Sequence, residues 1–289
     1  MPNRTYVVIG HGSRVPEAVS QFRNLIEALS RHLVRPITDC FLQFADPDVP
    51  TGLRRAAESV GEGGEVVVLP MVLGAGGHQK NDIADALRWA RKTFPRTTWR
   101  YGTPLGPHAK LVALLDLRVN ETLGAASDSD SPEQPHVLVV GHGSSAPEGN
   151  SAVAATAYLL SERRPYRSVE YAFHARARPD VTEGVHRCAK LGASKLVVAP
   201  YVLFEGKVRR SIGQAASKAG AEAGIRVLCA KPLGVHRLLL EVVAQRLEEA
   251  SNGTAAMVCD VCPYRWQTGD RDHQQGRQER SRDRCEEST

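Results

Sequence analysis

"VVIGHGSRVPE", residues 7 to 17, decides the fold of this chain. An apolar run of strand character stops at Gly-His-Gly-Ser and gives way, after Pro16, to a helical pattern. A buried strand that ends on a polar, metal-competent side chain reads as a site rather than as packing. Residues 139 to 148 repeat the phrase as "VVGHGSSAPE".

Three further landmarks recur in the same order. "FLQFADPDV" (41–49) matches "FHARARPDV" (173–181), "VVVLPMVL" (66–73) matches "LVVAPYVL" (196–203), and "PLGPH" (104–108) matches "PLGVH" (232–236). The offsets vary only between 128 and 132 residues, which points to an internal duplication. Between the strands lie amphipathic stretches at 16–33, 49–60 and 81–94, with apolar residues at helical spacing. Continuous Val/Leu strands alternating with such helices predict parallel sheets covered on both faces. The expected fold is α/β, with two tandem, duplicated, doubly wound parallel-sheet domains at 1–123 and 136–250. A polar, Pro-containing linker spans 124–135, and an irregular, flexible tail with a CxxC pair spans 251–289.

Composition narrows the function classes. The net charge is +5, and the six Arg and six acidic residues after Cys262 cancel, so the excess lies in the body of the chain. That favours an acidic small molecule; the concentrated basic face and aromatic platforms of a nucleic-acid binder are missing from the pattern, so no nucleic acid is expected as a partner. No apolar run is long enough to span a bilayer, and "MPNRT" leads into a strand without a signal-peptide core, so the expectation is a cytoplasmic protein that binds no membrane. Cys40, Cys188 and Cys229 lie in apolar patterns and read as reduced, buried thiols.

In an open parallel sheet, ligands bind at the carboxyl ends of the strands, where His11 follows the first strand between Gly10 and Gly12. "GAGGHQK" (74–80) places His78 at the end of another strand of the same half. Two imidazoles converging on one cleft suit borderline divalent ions, and at neutral pH they can also accept protons. Ser13 and Ser144 lack a nucleophile elbow and read as caps of the following helices. His108 and His236 also read as helix caps, and "GAGGH" has neither the P-loop nor the dinucleotide fingerprint.

Together, "GHGSR", the Phe-Leu segment, "PMVLGAGGHQKNDI" and "PLGPH" resemble the CbiX-type sirohydrochlorin chelatases, lyases related to the class II chelatases. The resemblance covers roughly residues 5 to 250 and implies two similar α/β domains with a cleft between them. It implies insertion of Co2+, for cobalamin, or Fe2+, for sirohaem, into sirohydrochlorin, with His11 and His78 binding the metal and assisting its insertion. Neither ATP nor NAD is required. The carboxylate-rich macrocycle calls for cations, and Arg14, Lys80, Lys207, Arg209 and Arg210 fall beside strand-end loops, with His142 as a further substrate contact.

Two departures stand out. Where the family often has Glu after Phe-Leu, this chain has Gln43, and Ala175 in the second half; an amide takes no proton, which leaves histidine or water as acceptor. Opposite His78 the second half reads "FEGKVRR" (204–210), so that half reads as degenerate for metal and basic for substrate. A non-catalytic metal or tetrapyrrole carrier on the same scaffold is the alternative. In the tail, "MVCDVCPYR" (257–265) sets Cys259 and Cys262 within reach of one metal. Some long CbiX-type proteins carry a similar pair and hold an iron–sulfur cluster; Cys285 is then a third ligand, and a fourth must come from another group or a second chain, leaving monomer and homodimer both open.

Overall fold

The computed structural model describes residues 3–76, 82–126 and 134–255, and residues up to Ala255 form one compact unit. The first half contains β1 (Arg4–Gly10), α1 (Pro16–Leu33), β2 (Ile37–Phe41), α2 (Val49–Val60), β3 (Glu65–Pro70), α3 (Ala84–Thr93), β4 (Thr98–Tyr101) and α4 (Ala109–Ala125). The second half repeats the series with β5 (His136–Gly141), α5 (Pro147–Ser161), β6 (Ser168–Phe173), α6 (Val181–Lys190), β7 (Lys195–Pro200), α7 (Lys207–Ala223), β8 (Arg226–Cys229) and α8 (Arg237–Ser251). Two four-stranded sheets result, ordered β2-β1-β3-β4 and β6-β5-β7-β8, with every pairing parallel.

The strands are apolar throughout because both of their faces are covered. Val7 and Ile9 join Leu53, Ala56 and Leu87 of α2 and α3 on one side, whereas Tyr6 and Val8 join the helices of the central layer on the other. The second sheet follows the same alternation, with Leu138 and Val140 facing α6 and α7 and Val137 and Val139 facing inward. Helices α1, α4, α5 and α8 thus form one layer between the two sheets, in a core continuous through both halves.

Within that layer the last helix of each half crosses over. Helix α4 packs on β7 and α5, and α8 packs on β3, β4 and α1. Two arginines at matching positions secure the exchange. Arg118 of α4 donates to the carbonyl of Leu233 at 2.8 Å, and Arg246 of α8 donates to that of Leu105 at 3.4 Å. The recurring Pro-Leu-Gly segments are therefore the receiving loops for the exchanged helices. Buried Asp116 adds a second tie, accepting from Arg164 at 2.8 Å and from the hydroxyl of Tyr166.

The helix expected over 81–94 is described as α3 over Ala84–Thr93, and residue 81 lies outside the described residues. Helix α4 runs to Ala125, two residues into the expected linker; 127–133 of that linker and the tail from 256 lie outside the described residues. The apolar phrases 66–73 and 196–203 stop being strand at Pro70 and Pro200, and their last residues form loops over the sheet edge. Ser13 and Ser144 do not cap the helices. Each accepts the N–H one residue before its helix begins, from Val15 and Ala146 at 3.0 Å, because Pro16 and Pro147 open the helices and have no N–H to offer.

Candidate active site

His11 leaves β1 at the carboxyl edge of the first sheet, exposed, and its surroundings set its tautomer. Nδ1 lies 3.1 Å from the carbonyl oxygen of Gly12, which can only accept, so Nδ1 carries the proton and Nε2 the lone pair. The side-chain amide of Gln43 lies 3.2 Å from that Nε2 and donates to it. The backbone holds the two residues in register, as the Gln43 N–H reaches the His11 carbonyl at 3.2 Å. Gly12 makes this approach possible. Its φ of +83° is left-handed, and a Cβ there would lie 1.7 Å from the Gln43 carbonyl oxygen.

Behind His11 lies a cavity of about 130 Å³, lined by Phe22, Phe41, Met71, Leu203 and Phe204. Phe22 meets Phe41 edge-on with centroids 5.0 Å apart and Phe204 at 6.4 Å. The loop after β7 delivers Leu203 and Phe204, so both halves build this wall. Next to Gln43 in the chain, Phe44 is 51% exposed, with a left-handed φ of 64°, and the Arg14 guanidinium stacks 4.7 Å above its ring.

The second half keeps the backbone of this site and loses its room. His142 orients its Nδ1 to the Gly143 carbonyl at 2.9 Å, and Gly143 has a φ of +85° with Ala175 in the place of Gln43. Val153 stands where the first half has Phe22, and Gly74 where it has Phe204. The loop at Gly74 then packs so closely on α5 that a Cβ there would lie 3.0 Å from the carbonyl oxygen of Gly149. His174 rests beside His142, with ring centroids 6.0 Å apart; burial, and then the neighbouring His142, lower its pKa.

The remaining candidates scatter. Lys207 and Arg210 are exposed at the start of α7, close in sequence to Phe204. Arg209 turns toward its own sheet, donating to the Ala230 carbonyl at 3.2 Å and lying 3.7 Å from Glu205. His78, Lys80, Cys259, Cys262 and Cys285 lie outside the described residues. His108 and His236 cap α4 and α8, accepting the N–H of Lys110 at 3.0 Å and of Leu238 at 3.1 Å. No helix among the described residues is long and apolar enough to cross a membrane. Phe22, Phe204 and His174 escaped the sequence reading; the aligned halves carry their signal, since each stands opposite a different residue type.

A sequence model of the CbiX family matches residues 5–122 and again residues 136–250. The chain belongs to the CbiX family. The double match to one model is the duplication seen in the two sheets. Among curated relatives of this CbiX protein, the sirohydrochlorin cobaltochelatase of Priestia megaterium is 33% identical over 266 residues, spanning 91% of this chain and 85% of its own length. The sirohydrochlorin ferrochelatase of the same organism is 29% identical over 239 residues, spanning 82% and 87%. Among solved structures, SirB from Bacillus subtilis with Fe3+ superposes with a TM-score of 0.75 at 24% identity, over 88% of this chain and 98% of its own. That likeness shows the shared two-sheet fold.

Proposed function

We propose that this CbiX protein is a sirohydrochlorin chelatase, a lyase that inserts Co2+ or Fe2+ into the tetrapyrrole. The observation that carries the reading is His11, an exposed imidazole oriented by the Gly12 carbonyl and the Gln43 side chain at the mouth of an aromatic-lined cavity. Its relatives with known activities are cobalto- and ferrochelatases. The metal is substrate here, so His11 must bind it weakly enough to release it.

Insertion requires the ion to shed water, the macrocycle to present its nitrogens, and two pyrrole protons to leave. The His11 Nε2 lone pair serves the first task and, once the ion has moved on, can take a proton. His78 is our proposed partner in both. Gln43 can only hold the lone pair in place or release it. Partly exposed Phe204 and exposed Phe44 offer apolar surface for the ring. Arg14, Lys80, Lys207 and Arg210 are proposed to meet its carboxylates; α7 supports this with two exposed cations in its first four residues, no acid in its first turn and no side-chain cap on its N-terminus. Arg209 is left out because its guanidinium is committed to backbone carbonyls.

In the tail, Cys259 and Cys262 with Cys285 offer three thiolates, the ligand type an iron–sulfur cluster takes, and we propose that they hold one. Iron and sulfide in anaerobically purified protein, lost on Cys259→Ser with Cys262→Ser, test this separately. Free Cys40, Cys188 and Cys229 support placement in the reducing cytoplasm. The main test mixes substoichiometric protein with sirohydrochlorin and Co2+ or Fe2+ under anaerobic conditions. An enzyme converts many equivalents to the metallated spectrum; a change that stops at one equivalent identifies a carrier instead.

A further inference from the structure

We propose that His142 and His174 form a second binding site for a divalent transition-metal ion, at the carboxyl edge of the second sheet. Opposite His78 the second half has no histidine, but the end of β6 supplies a different imidazole, with a ring 6.0 Å from that of His142 at an angle of 64°. The backbone fixes both residues. The His174 N–H reaches the Gly141 carbonyl and the Ala175 N–H reaches the His142 carbonyl, each at 2.9 Å.

The lone pair of His142 is well defined. His142 gives its Nδ1 proton to the Gly143 carbonyl, the outer bond that metal-binding imidazoles commonly make, which leaves Nε2 as the ligand atom. Ala175 has no amide to compete for that atom, unlike Gln43 beside His11. His174 is half-buried and makes no side-chain hydrogen bond among the described residues.

The separation suits one shared ion. A metal–nitrogen bond of about 2.1 Å sets each ring centre roughly 3.2 Å from the ion, so tetrahedral binding places the two centres roughly 5.3 Å apart. Small side-chain rotations cover the difference from 6.0 Å. Water completes the coordination sphere, and imidazole pairs take Co2+, Ni2+, Cu2+ and Zn2+. The inference rests on this geometry and is independent of the chelatase reading.

The test is equilibrium dialysis of the full chain against Co2+ at neutral pH, in a background carrying His11→Ala, His78→Ala, Cys259→Ser and Cys262→Ser. The expected result is close to one Co2+ per chain. His174→Leu, which installs the residue type found at the matching Leu42, should weaken binding at least about tenfold, as should His174→Gln. In the otherwise unsubstituted chain His174→Leu should remove one equivalent. A background chain that binds no Co2+, or Co2+ retained by both His174 variants with unchanged affinity, overturns the site.

Discussion

Gln43 donates its side-chain amide to Nε2 of His11 at 3.2 Å, so an incoming ion must displace a hydrogen bond to reach that lone pair. The arrangement is particular to an amide. A carboxylate at the same place would compete for a proton instead, and would stabilise the imidazolium by its charge.

Gln43→Glu should therefore raise the pKa of His11 and move the acid limb of the chelation profile to higher pH, while Gln43→Ala, which only removes a hydrogen bond to the neutral ring, moves it less far in the same direction. Rates of sirohydrochlorin metallation across the pH range, for the three proteins side by side, decide this. An unshifted limb in the Glu variant would show that His11 protonation does not control it.

His11→Ala should lower the chelation rate by at least about 100-fold, the usual scale for removing a group that handles protons in the reaction. Because His11 is exposed, stability should change by no more than about 0.5 kcal/mol. Thermal melts paired with turnover measurements separate the two effects. A variant that chelates normally would remove His11 from the mechanism.

Gly12→Ala and Gly143→Ala meet the same obstacle, a Cβ 1.7 Å or 1.8 Å from a carbonyl oxygen at left-handed φ. Each should cost at least about 2 kcal/mol of stability. Only Gly12→Ala should also lose chelation in the folded fraction, since it disturbs the His11–Gln43 pair. Denaturant titrations with activity normalised to folded protein test the asymmetry, and equal activity losses would contradict it.

His108 and His236 cap their helices as acceptors, which requires neutral rings. Burial, first of all, lowers both pKa values below the ordinary 6.5, with Arg246 and Lys110 adding to the effect at His108 and Arg118 at His236. The unfolded chain then binds more protons as pH falls, so these caps contribute fully above about 6.5 and lose their contribution below it. Replacing both by Asn, a cap that does not titrate, should flatten that decline, while Ala should cost about 1 kcal/mol per site at neutral pH. Melting temperature against pH for the two double variants is the measurement.

The duplicated βα pattern and the helix limits at 16–33 and 49–60 were legible in the sequence by itself, because each is a local property of apolar periodicity. So was the place of Gly-His-Gly at the carboxyl end of a strand, since the apolar run of each strand stops there. Tertiary structure alone decided the partners. An amphipathic helix states that it has an apolar face but not which sheet will cover it, and α4 and α8 each settled on the other half's sheet. The cavity at His11 depends on Phe22 and Phe204, which are far apart in the chain and come from opposite halves. His174 was hidden for a related reason: the duplication directs attention to the loop after β7, whereas the second imidazole stands at the end of β6 and reaches His142 only because parallel pairing aligns the two strand ends.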